Sequence, residues 1–399
     1  GGPIQTQKNQ TTDPLMESWL EAGRTAGYGA TDDYNAASQD GAARMQFNIG
    51  GGRRSNSAVA FLRPALKRSN LTLITGAQAT RILMDGKRAT GIKYRQGDTT
   101  RTVKAAEVIL AGGAYNSPQL LMLSGIGPAA HLSELEINVV QDAAAVGGNL
   151  QDHPAISLEY QRTQTSEFMR NLRLDKLTIN MARAWLFNTG PASQPVGFST
   201  AFVKSREGLE IPDLQFFFRP YSRLARQWLP FVYPHAPDAV SITACHLRPE
   251  SRGEVRLRST DPMAPVGFVN NFLSTEADRE AMRQAFKISR DLVGQPSFDA
   301  IRGDETAPGS DVESDVDIDA FIRETAMTVF HPIGTCRMGS DPASVVDPEM
   351  RVRGIEGLRV VDASVMPDLV GGNINACVMM IAEKASDIIR GKTPLPVEA

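Results

Sequence analysis

The sequence predicts a mixed α/β fold in two domains, and three observations lead to that expectation. The chain has 399 residues, more than a usual single domain contains. Short β-branched runs lie between Leu71 and Leu110, and alternating polar and apolar residues follow from about Pro154 to Val269. Helical periodicity then returns towards the C-terminus. The alternating region predicts an antiparallel sheet with one covered face.

The first part of the chain is expected to contain helices and then strands. The predicted helices are Asp13 or Pro14 to Ala26 and Ser57–Lys67, the second interrupted at Pro64. The predicted strands are Leu71–Ile74, Ala79–Met84, Gly91–Tyr94 and Val108–Leu110, with a hairpin turn at Asp85-Gly86-Lys87. The last strand leads into Ala111-Gly112-Gly113-Ala114 and then an apolar helix at Gln119–Leu123. A strand, a glycine turn and a helix in this order can bring backbone N–H groups close to a cofactor phosphate.

The later elements follow the change of periodicity. Alternation predicts strands at Ala155–Tyr160, Asp213–Phe218 and Gly253–Leu257. Helical spacing predicts Thr275–Val293, Asp317–Thr325 and an amphipathic helix at Val378–Arg390.

The composition is that of a globular protein and excludes several partners. Hydrophobic residues make up 42% of the chain and charged residues 22%, with a net charge of -3. There is no basic field to attract nucleic acid, and no apolar run approaches the length of a membrane span. Cys245, Cys336 and Cys377 cannot form a disulfide framework, which favours a cytoplasmic location. The histidines lack the spacing of a metal site.

Five segments of the chain form an ordered series of motifs. They are GAYNSPQLLMLSGIG at 113–127, VGGNLQDHP at 146–154, HPIGTCRMG at 331–339, GLRVVDAS at 357–364 and GNINA at 372–376. In this order they resemble the signatures of the glucose-methanol-choline (GMC) oxidoreductases, over essentially the whole chain. Gly148 departs from the family pattern, where glutamate or glutamine is commoner. No Gly-x-Gly-x-x-Gly follows a strand, although the family opens with that motif.

The resemblance implies a fold, a cofactor and a set of site residues. It implies an incomplete Rossmann-like FAD-binding domain at 1–153 and 331–399, and a substrate domain at 154–330 whose antiparallel sheet is flanked by helices. His331 and Asn373 would be the catalytic pair. The implied contacts with FAD are made by Ala79, Gly112, Asn116, Asp362, Ala363, Asn375 and Ala376. A further N-terminal segment, in this chain or a separate one, would carry the absent glycine motif.

The residue types suit alcohol oxidation on chemical grounds as well. A base must take the hydroxyl proton while a flavin accepts the hydride, and histidine titrates close to working pH. An asparagine amide can donate to the developing alkoxide. For Asp362, the alternative is an N-cap of the following turn. His153 is expected to serve packing, and His131, His235 and His246 are expected to be structural.

The implied reaction is the oxidation of a small primary alcohol to the aldehyde, with FAD as hydride acceptor and oxygen or a quinone as final acceptor. Two alternatives stay open. One is a hydroxynitrile-lyase-like reaction in which the flavin is redox-silent, and the other is a catalytically silent fragment or subunit of a split enzyme. Choline, alkanols and aryl or furanic alcohols all remain candidate substrates.

Overall fold

The computed structural model describes residues 2–10, 13–194 and 197–393, which fold as two compact units. The first unit comprises the segment that ends at Leu73, together with Pro154–Leu247 and Arg279–Met327. The second comprises Ile74–His153, Arg248–Asp278 and the segment from Thr328 onward. Helices and sheets occur together along the chain, so the predicted mixed α/β class is confirmed.

The helices and strands are numbered here in chain order. The helices are α1 (Pro14–Thr25), α2 (Arg63–Ala65), α3 (Gly113–Leu123), α4 (Ala129–Glu134), α5 (Glu167–Asn171), α6 (Leu174–Phe187), α7 (Glu276–Gly294), α8 (Asp315–Thr325) and α9 (Asn375–Ile389). The strands are β1 (Gln7–Lys8), β2 (Gly41–Arg44), β3 (Gln46–Phe47), β4 (Ile49–Gly50), β5 (Arg53–Arg54), β6 (Ala77–Asp85), β7 (Arg88–Gln96), β8 (Thr99–Lys104), β9 (Val108–Leu110), β10 (Ile126–Gly127), β11 (Gln141–Asp142), β12 (Pro154–Arg162), β13 (Ser199–Val203), β14 (Leu214–Arg219), β15 (Ala239–His246), β16 (Glu254–Arg256), β17 (Gly267–Val269), β18 (Arg302–Ala307), β19 (Met327–Thr328) and β20 (Leu358–Val360).

The first unit is built on an antiparallel sheet with the strand order β18-β12-β15-β14-β13-β2. Helix α1 packs on it, and the Trp19 ring stacks on Phe218 with 4.7 Å between centroids. Asp13 caps this helix by accepting the N–H of Leu15, and it also forms a buried ion pair with Arg162 at 3.1 Å. One aspartate therefore both starts the helix and joins it to the sheet.

The second unit contains the strand–turn–helix arrangement predicted from the sequence. Strand β9 pairs in parallel with β20, and α3 begins directly after the glycine turn. Strands β6, β7 and β8 form an antiparallel meander beside them. Leu121 and Met122 of α3 are fully buried in the core of this unit together with Val360. The packing of α3 places its N-terminus at the carboxyl end of β9, where cofactor phosphates bind in α/β sheets.

Several predicted elements are wrong or incomplete. The run Leu71–Ile74 is not a strand, and its leucines are exposed without a neighbouring strand to pair with. The helix expected at Ser57–Lys67 is a π-helical turn, Ala58–Leu62, followed by the short α2. The segment Gly253–Leu257 contributes β16, which pairs with β17 and not with the large sheet. Every residue of β13 and β15 is buried, so the sheet is covered more fully than the alternation indicated.

The two compact units also divide the chain differently from the three expected ranges. The segment that ends at Leu73 belongs with the antiparallel sheet, because β2 adds its edge strand and α1 packs on it. Arg248–Asp278 belongs with the parallel pair, because Leu150 and Gly253 exchange backbone hydrogen bonds. The local sequence pattern does not reveal either long-range pairing, since both are contacts between segments far apart in the chain.

Candidate active site

Two of the sequence motifs pair with each other to form the site. Gln151 and Ile333 exchange N–H···O bonds of 3.2 and 2.9 Å as a short antiparallel bridge. Gly334 follows with a φ of +91°, and a Cβ atom there would lie 2.4 Å from the carbonyl oxygen of Asn149. Only glycine permits both this backbone conformation and this close approach. The two motifs therefore fold as one unit.

The carboxylate of Asp152 fixes the backbone of two histidines. Its Oδ1 atom accepts the N–H of His153 at 2.8 Å and the N–H of His331 at 3.0 Å. Its Oδ2 atom accepts the hydroxyl of Thr328. Three donors thus converge on one buried carboxylate, which positions both imidazole rings relative to each other.

The side chains of His153 and His331 form a row that ends on Asn373. The two Nδ1 atoms are 3.0 Å apart, and the rings meet edge to face at an interplanar angle of 87°. His153 Nε2 lies 3.2 Å from the carbonyl oxygen of Val370. At the other end, Asn373 Nδ2 lies 3.3 Å from His331 Nε2. The predicted pair, 42 positions apart in sequence, is therefore in contact in the fold.

The partners of this row determine where its protons are. A carbonyl oxygen can only accept, so His153 Nε2 must carry the proton that it donates to Val370. In the neutral form of the His153 ring, Nδ1 is then the acceptor, and His331 donates its own Nδ1–H to it. The lone pair of His331 consequently lies on Nε2, beside the amide of Asn373. This is the tautomer that a base acting through Nε2 requires.

The electrostatics of the site favour the neutral form of the base. Burial lowers the pKa of His331 from its ordinary value of 6.5 to about 4, because desolvation disfavours the imidazolium ion. Burial also raises the pKa of Asp152, and the hydrogen bonds from Thr328, His331 and His153 oppose that increase. At neutral pH, His331 is therefore unprotonated and able to accept a proton.

A cleft of about 350 Å³ lies at the end of β9 in the second unit. Three of the predicted cofactor residues, Ala79, Gly112 and Asn116, line it, and Ile109 and Leu123 contribute apolar surface. Gly113 opens α3 with a φ of +78°, and a Cβ atom there would meet nothing within 4 Å. An apolar wall beside the N-terminus of a helix suits a nucleotide with its phosphates, so the residues present fit this part of FAD.

Asp362 is joined to this cleft through protein contacts. Its Oδ2 atom accepts the N–H of Gly113 at 2.9 Å and the hydroxyl of Ser117 at 2.5 Å, and Oδ1 accepts the N–H of Ser364 at 2.7 Å. Asp362 also caps the short turn Ala363–Val365, which is the N-cap role that the sequence offered as the alternative to cofactor binding. Three of the acceptor positions of the carboxylate are thus occupied by the protein.

The other predicted residues fall into two groups. Asn375 and Ala376 form the first turn of α9, where backbone N–H groups have no partner within the helix. Among the remaining histidines, the Nε2 atom of His131 accepts the N–H of Leu257, and His235 packs edge-on against Trp228. His246 is buried in β15. His153, expected to serve packing alone, is instead a direct hydrogen-bond partner of the predicted base.

Comparison with known proteins gives a family. Two sequence models of protein families, both described as GMC oxidoreductase, match residues 2–155 and 249–382 of this chain. A protein described as an oxygen-dependent choline dehydrogenase from Brucella ovis is 43% identical over 404 aligned residues, which cover 99% of this chain and 71% of that protein. The chain belongs to the GMC oxidoreductase family. A protein of the same description from Rhizobium etli is 41% identical with the same coverage.

Solved structures of GMC oxidoreductases have the same fold. Pyridoxine 4-oxidase from Mesorbium loti superposes with a TM-score of 0.85 at 29% identity, covering 99% of this chain and 73% of that one. A formate oxidase variant from Aspergillus oryzae gives a TM-score of 0.88 at 27% identity, covering 98% of this chain and 73% of that one. The chain is an oxidoreductase of the class that acts on CH–OH donors, and its cofactor is FAD.

The described residues provide neither a membrane-spanning helix nor a metal-binding cluster. Within the ranges that the structure describes, no helix is both long enough and apolar enough to cross a membrane. The same residues contain no group of three or more histidine, cysteine or acidic side chains arranged to hold a metal ion.

Proposed function

We propose that this GMC oxidoreductase oxidises a small primary alcohol to the aldehyde, with His331 as the base and Asn373 as its partner. The observation that carries the proposal is the row of hydrogen bonds that leaves the lone pair of His331 on Nε2, next to the Asn373 amide. FAD, when bound, accepts the hydride from the carbinol carbon. The chain itself supplies the proton acceptor and the donor to the alkoxide.

Each side chain has a defined part in the reaction. The alcohol hydroxyl donates its proton to His331 Nε2, and the Asn373 amide stabilises the oxygen as negative charge develops there. The contact of 3.3 Å between these two groups is long for a hydrogen bond, so a substrate oxygen can replace it at low cost. His153 accepts from His331 Nδ1 throughout, which keeps the ring in one orientation while it gains and loses the proton.

We also propose the remaining assignments at the cofactor cleft. Ala79, Gly112 and Asn116 would contact the nucleotide part of FAD, and the backbone near Asp362 and Ala363 would contact its central part. The cleft and the helix N-terminus beside it support this placement. The first turn of α9, which contains Asn375 and Ala376, would direct N–H groups at the flavin edge where charge accumulates on reduction. Reconstitution with added FAD measures whether this chain retains the cofactor by itself or only together with a further N-terminal segment.

The test is an anaerobic absorbance titration of the FAD-loaded chain with primary alcohols. The panel contains choline, an alkanol and a benzyl alcohol. Bleaching of the flavin bands by one of them, with formation of the aldehyde, is the expected result. Release of aldehyde and cyanide from a cyanohydrin added in a separate assay, without bleaching, would favour the lyase alternative. No product from any alcohol or from the cyanohydrin would favour the catalytically silent alternative. Readmission of air, or addition of a soluble quinone, then identifies the electron acceptor.

The pH dependence of the flavin-reduction rate is expected to report the low pKa of His331. Since burial holds this pKa near 4, the base stays neutral and the rate should remain level from pH 8 down to about pH 5. A base with the ordinary pKa of 6.5 would already lose rate below pH 7. Stopped-flow reduction across this range distinguishes the two profiles.

The same shift has a consequence for stability with a definite sign. Between pH 6.5 and about 4 the unfolded chain binds a proton at residue 331 that the folded chain does not. The contribution of this group to the free energy of unfolding is therefore fully present above pH 6.5, and it declines as the pH falls from 6.5 towards 4. His331→Gln should make urea unfolding less dependent on pH there, and an unchanged dependence would contradict the assignment.

A further inference from the structure

Helix α6 of the first unit exposes apolar side chains over most of its surface. Its covered side is narrow and consists of Leu177, Asn180 and Ala184, which are buried or half-buried. Five apolar side chains on the rest of the helix are between 55% and 74% exposed: Ile179, Met181, Trp185, Leu186 and Phe187. Single exposed apolar residues are ordinary, but a contiguous group of them marks an interaction surface.

The exposed apolar residues follow two lines along α6. Ile179 and Leu186 are seven residues apart, and Met181 and Trp185 are four apart, so the members of each pair lie one above the other. The helix has 14 residues, and the two lines extend over its C-terminal half. This half of α6 therefore presents an apolar strip to solvent.

A tight turn beside the start of α6 exposes a further apolar group. The N–H of Leu174 donates to the carbonyl oxygen of Trp228 at 2.9 Å, which fixes the turn next to the helix. Leu229 and Tyr233 exchange backbone hydrogen bonds across the turn, and Phe231 at its tip is fully exposed. Phe231 has a φ of +66°, at a turn position where glycine or asparagine is usual. A large apolar ring thus stands in solvent at a position that does not favour it.

A glycine-rich segment adds cations at the other end of α6. Arg53 donates to the carbonyl oxygen of Trp185 at 3.2 Å and to Asn188 Oδ1 at 2.8 Å. Gly52 lies so close to the helix end that a Cβ atom there would be 2.8 Å from the Asn188 carbonyl oxygen. Arg54 follows and is exposed. Two arginines therefore accompany the aromatic end of α6.

Positive charge predominates on the surface that these segments share, the α6 face (residues 50–54, 173–190 and 228–233). Its one acidic residue, Asp175, pairs with Arg173 at 2.7 Å. Lys176 and Arg183, seven residues apart on one side of α6, are exposed and form no ion pair within the described part of the chain. The net charge of the whole chain is -3, so this positive excess is local. A partner for the α6 face must combine apolar surface with negative charge.

This requirement separates the possible partners. In a two-fold dimer the same surface meets itself, so the cations of one copy would face those of the other without an anion between them. An anionic lipid bilayer offers acyl chains to the apolar strip and phosphate groups to the cations. A fluid bilayer also accommodates the protruding ring of Phe231 without a matching pocket, which a rigid protein surface would need.

We propose that the α6 face attaches this protein to the surface of an anionic lipid bilayer. Helix α6 lies along the membrane surface, with Trp185 at one end and Phe231 at the other entering the interfacial layer. Lys176, Arg183 and Arg53 interact with the lipid phosphates. The attachment goes beyond the proposed oxidation and needs neither FAD nor alcohol, so either proposal can fail without the other.

Co-sedimentation with vesicles measures the attachment directly. The vesicles consist of phosphatidylcholine alone or of a mixture of phosphatidylcholine and phosphatidylglycerol. The chain should bind the mixed vesicles about tenfold or more tightly, because cations near an anionic surface are attracted to it. Added salt should weaken this binding without abolishing it, since the apolar contacts persist when charges are screened. Equal binding to the two kinds of vesicle, no binding to either, or complete release by salt would overturn the proposal.

The fluorescence of Trp185 reports whether the apolar strip enters the bilayer. Trp19 is fully buried and Trp228 is half-buried, so Trp185 is the tryptophan that a surface partner reaches. Its emission should shift to shorter wavelength on the mixed vesicles and be quenched by brominated acyl chains. Trp185→Phe should keep the affinity within about threefold and lose most of the quenching. Bound chain with an unchanged, unquenched emission would refute insertion of this helix.

Apolar variants connect the binding to the residues. Trp185→Ser and Phe231→Gly should each weaken binding to the mixed vesicles about tenfold or more. Glycine suits the positive φ of residue 231, so the Tm of Phe231→Gly should not fall, which shows that the fold is intact. Val316→Ser, at a 77% exposed valine of α8 in the same unit, is the matched control and should bind normally. Unchanged affinity in both test variants would overturn the assignment.

Charge variants test the cationic part of the α6 face. Lys176→Gln combined with Arg183→Gln should lower the affinity for the mixed vesicles about tenfold and leave the affinity for phosphatidylcholine unchanged. Arg206→Gln, at an exposed arginine outside the face, is the control. Equal losses on both lipids would refute recognition of the phosphates. Self-association that Trp185→Ser abolishes, without binding to any vesicle, would replace the bilayer by a second copy of the chain.

Discussion

Replacement of His331 by glutamine is expected to slow flavin reduction by the alcohol substrate by about 10²–10⁴-fold, the contribution of a general base. The glutamine amide fills similar space but cannot take the hydroxyl proton. The direct measurement is the rate constant of flavin bleaching after anaerobic mixing with saturating alcohol. FAD content should stay the same, because His331 contacts Asp152, His153 and Asn373 and does not line the nucleotide cleft.

The matched control for this prediction is His235→Gln. His235 packs on Trp228 in the other unit and has no part in the hydrogen-bonded row, so its replacement should leave the reduction rate nearly unchanged. A His331→Gln variant that reduces its flavin within about threefold of the original rate would refute the role of this histidine as base. The prediction therefore does not depend on which alcohol proves to be the substrate.

Replacement of His153 by leucine is expected to slow the same step by about 10²-fold, although His153 does not touch the substrate. Leucine cannot accept from His331 Nδ1, so the proton of the neutral ring is free to move to Nε2 and block the lone pair that the reaction needs. The buried donor left without its partner costs about 1–3 kcal/mol, which corresponds to this loss of rate.

A conservative variant separates positioning from packing. His153→Asn retains an acceptor in its Oδ1 atom and a donor in its amide, and it should recover the rate to within about tenfold of the original. ¹⁵N NMR of the His331 ring should show a protonated Nδ1 in the original chain and in His153→Asn, and a larger share of protonated Nε2 in His153→Leu. If asparagine were as slow as leucine and the tautomer did not change, His153 would be a packing residue only.

The sequence was most informative where a motif is long and local. The segment 113–127 predicts the glycine turn and the helix that follows it, and both form as α3 with the cofactor cleft at its start. Strands β6, β7 and β9 were also found, because each has β-branched residues and a turn residue beside it. The motifs identify His331 and Asn373 as a pair, and the fold brings their side chains into contact.

The parts that could not be predicted depend on contacts between distant segments. His153 was interpreted as a packing residue because its neighbours in sequence do not show that Gln151 pairs with Ile333 and brings the two rings together. The decisive neighbour of His153 comes from a distant segment of the chain, and single-sequence periodicity carries no record of it.

The last member of the imidazole row is the carbonyl oxygen of Val370, and this choice affects how the enzyme recovers after each turnover. A carboxylate in that position would attract the proton taken from the alcohol and delay its departure. A backbone carbonyl is neutral at every working pH and persists whatever side chain residue 370 carries. On the proposed mechanism, a proton taken up by His331 therefore meets no anionic acceptor at this end of the row.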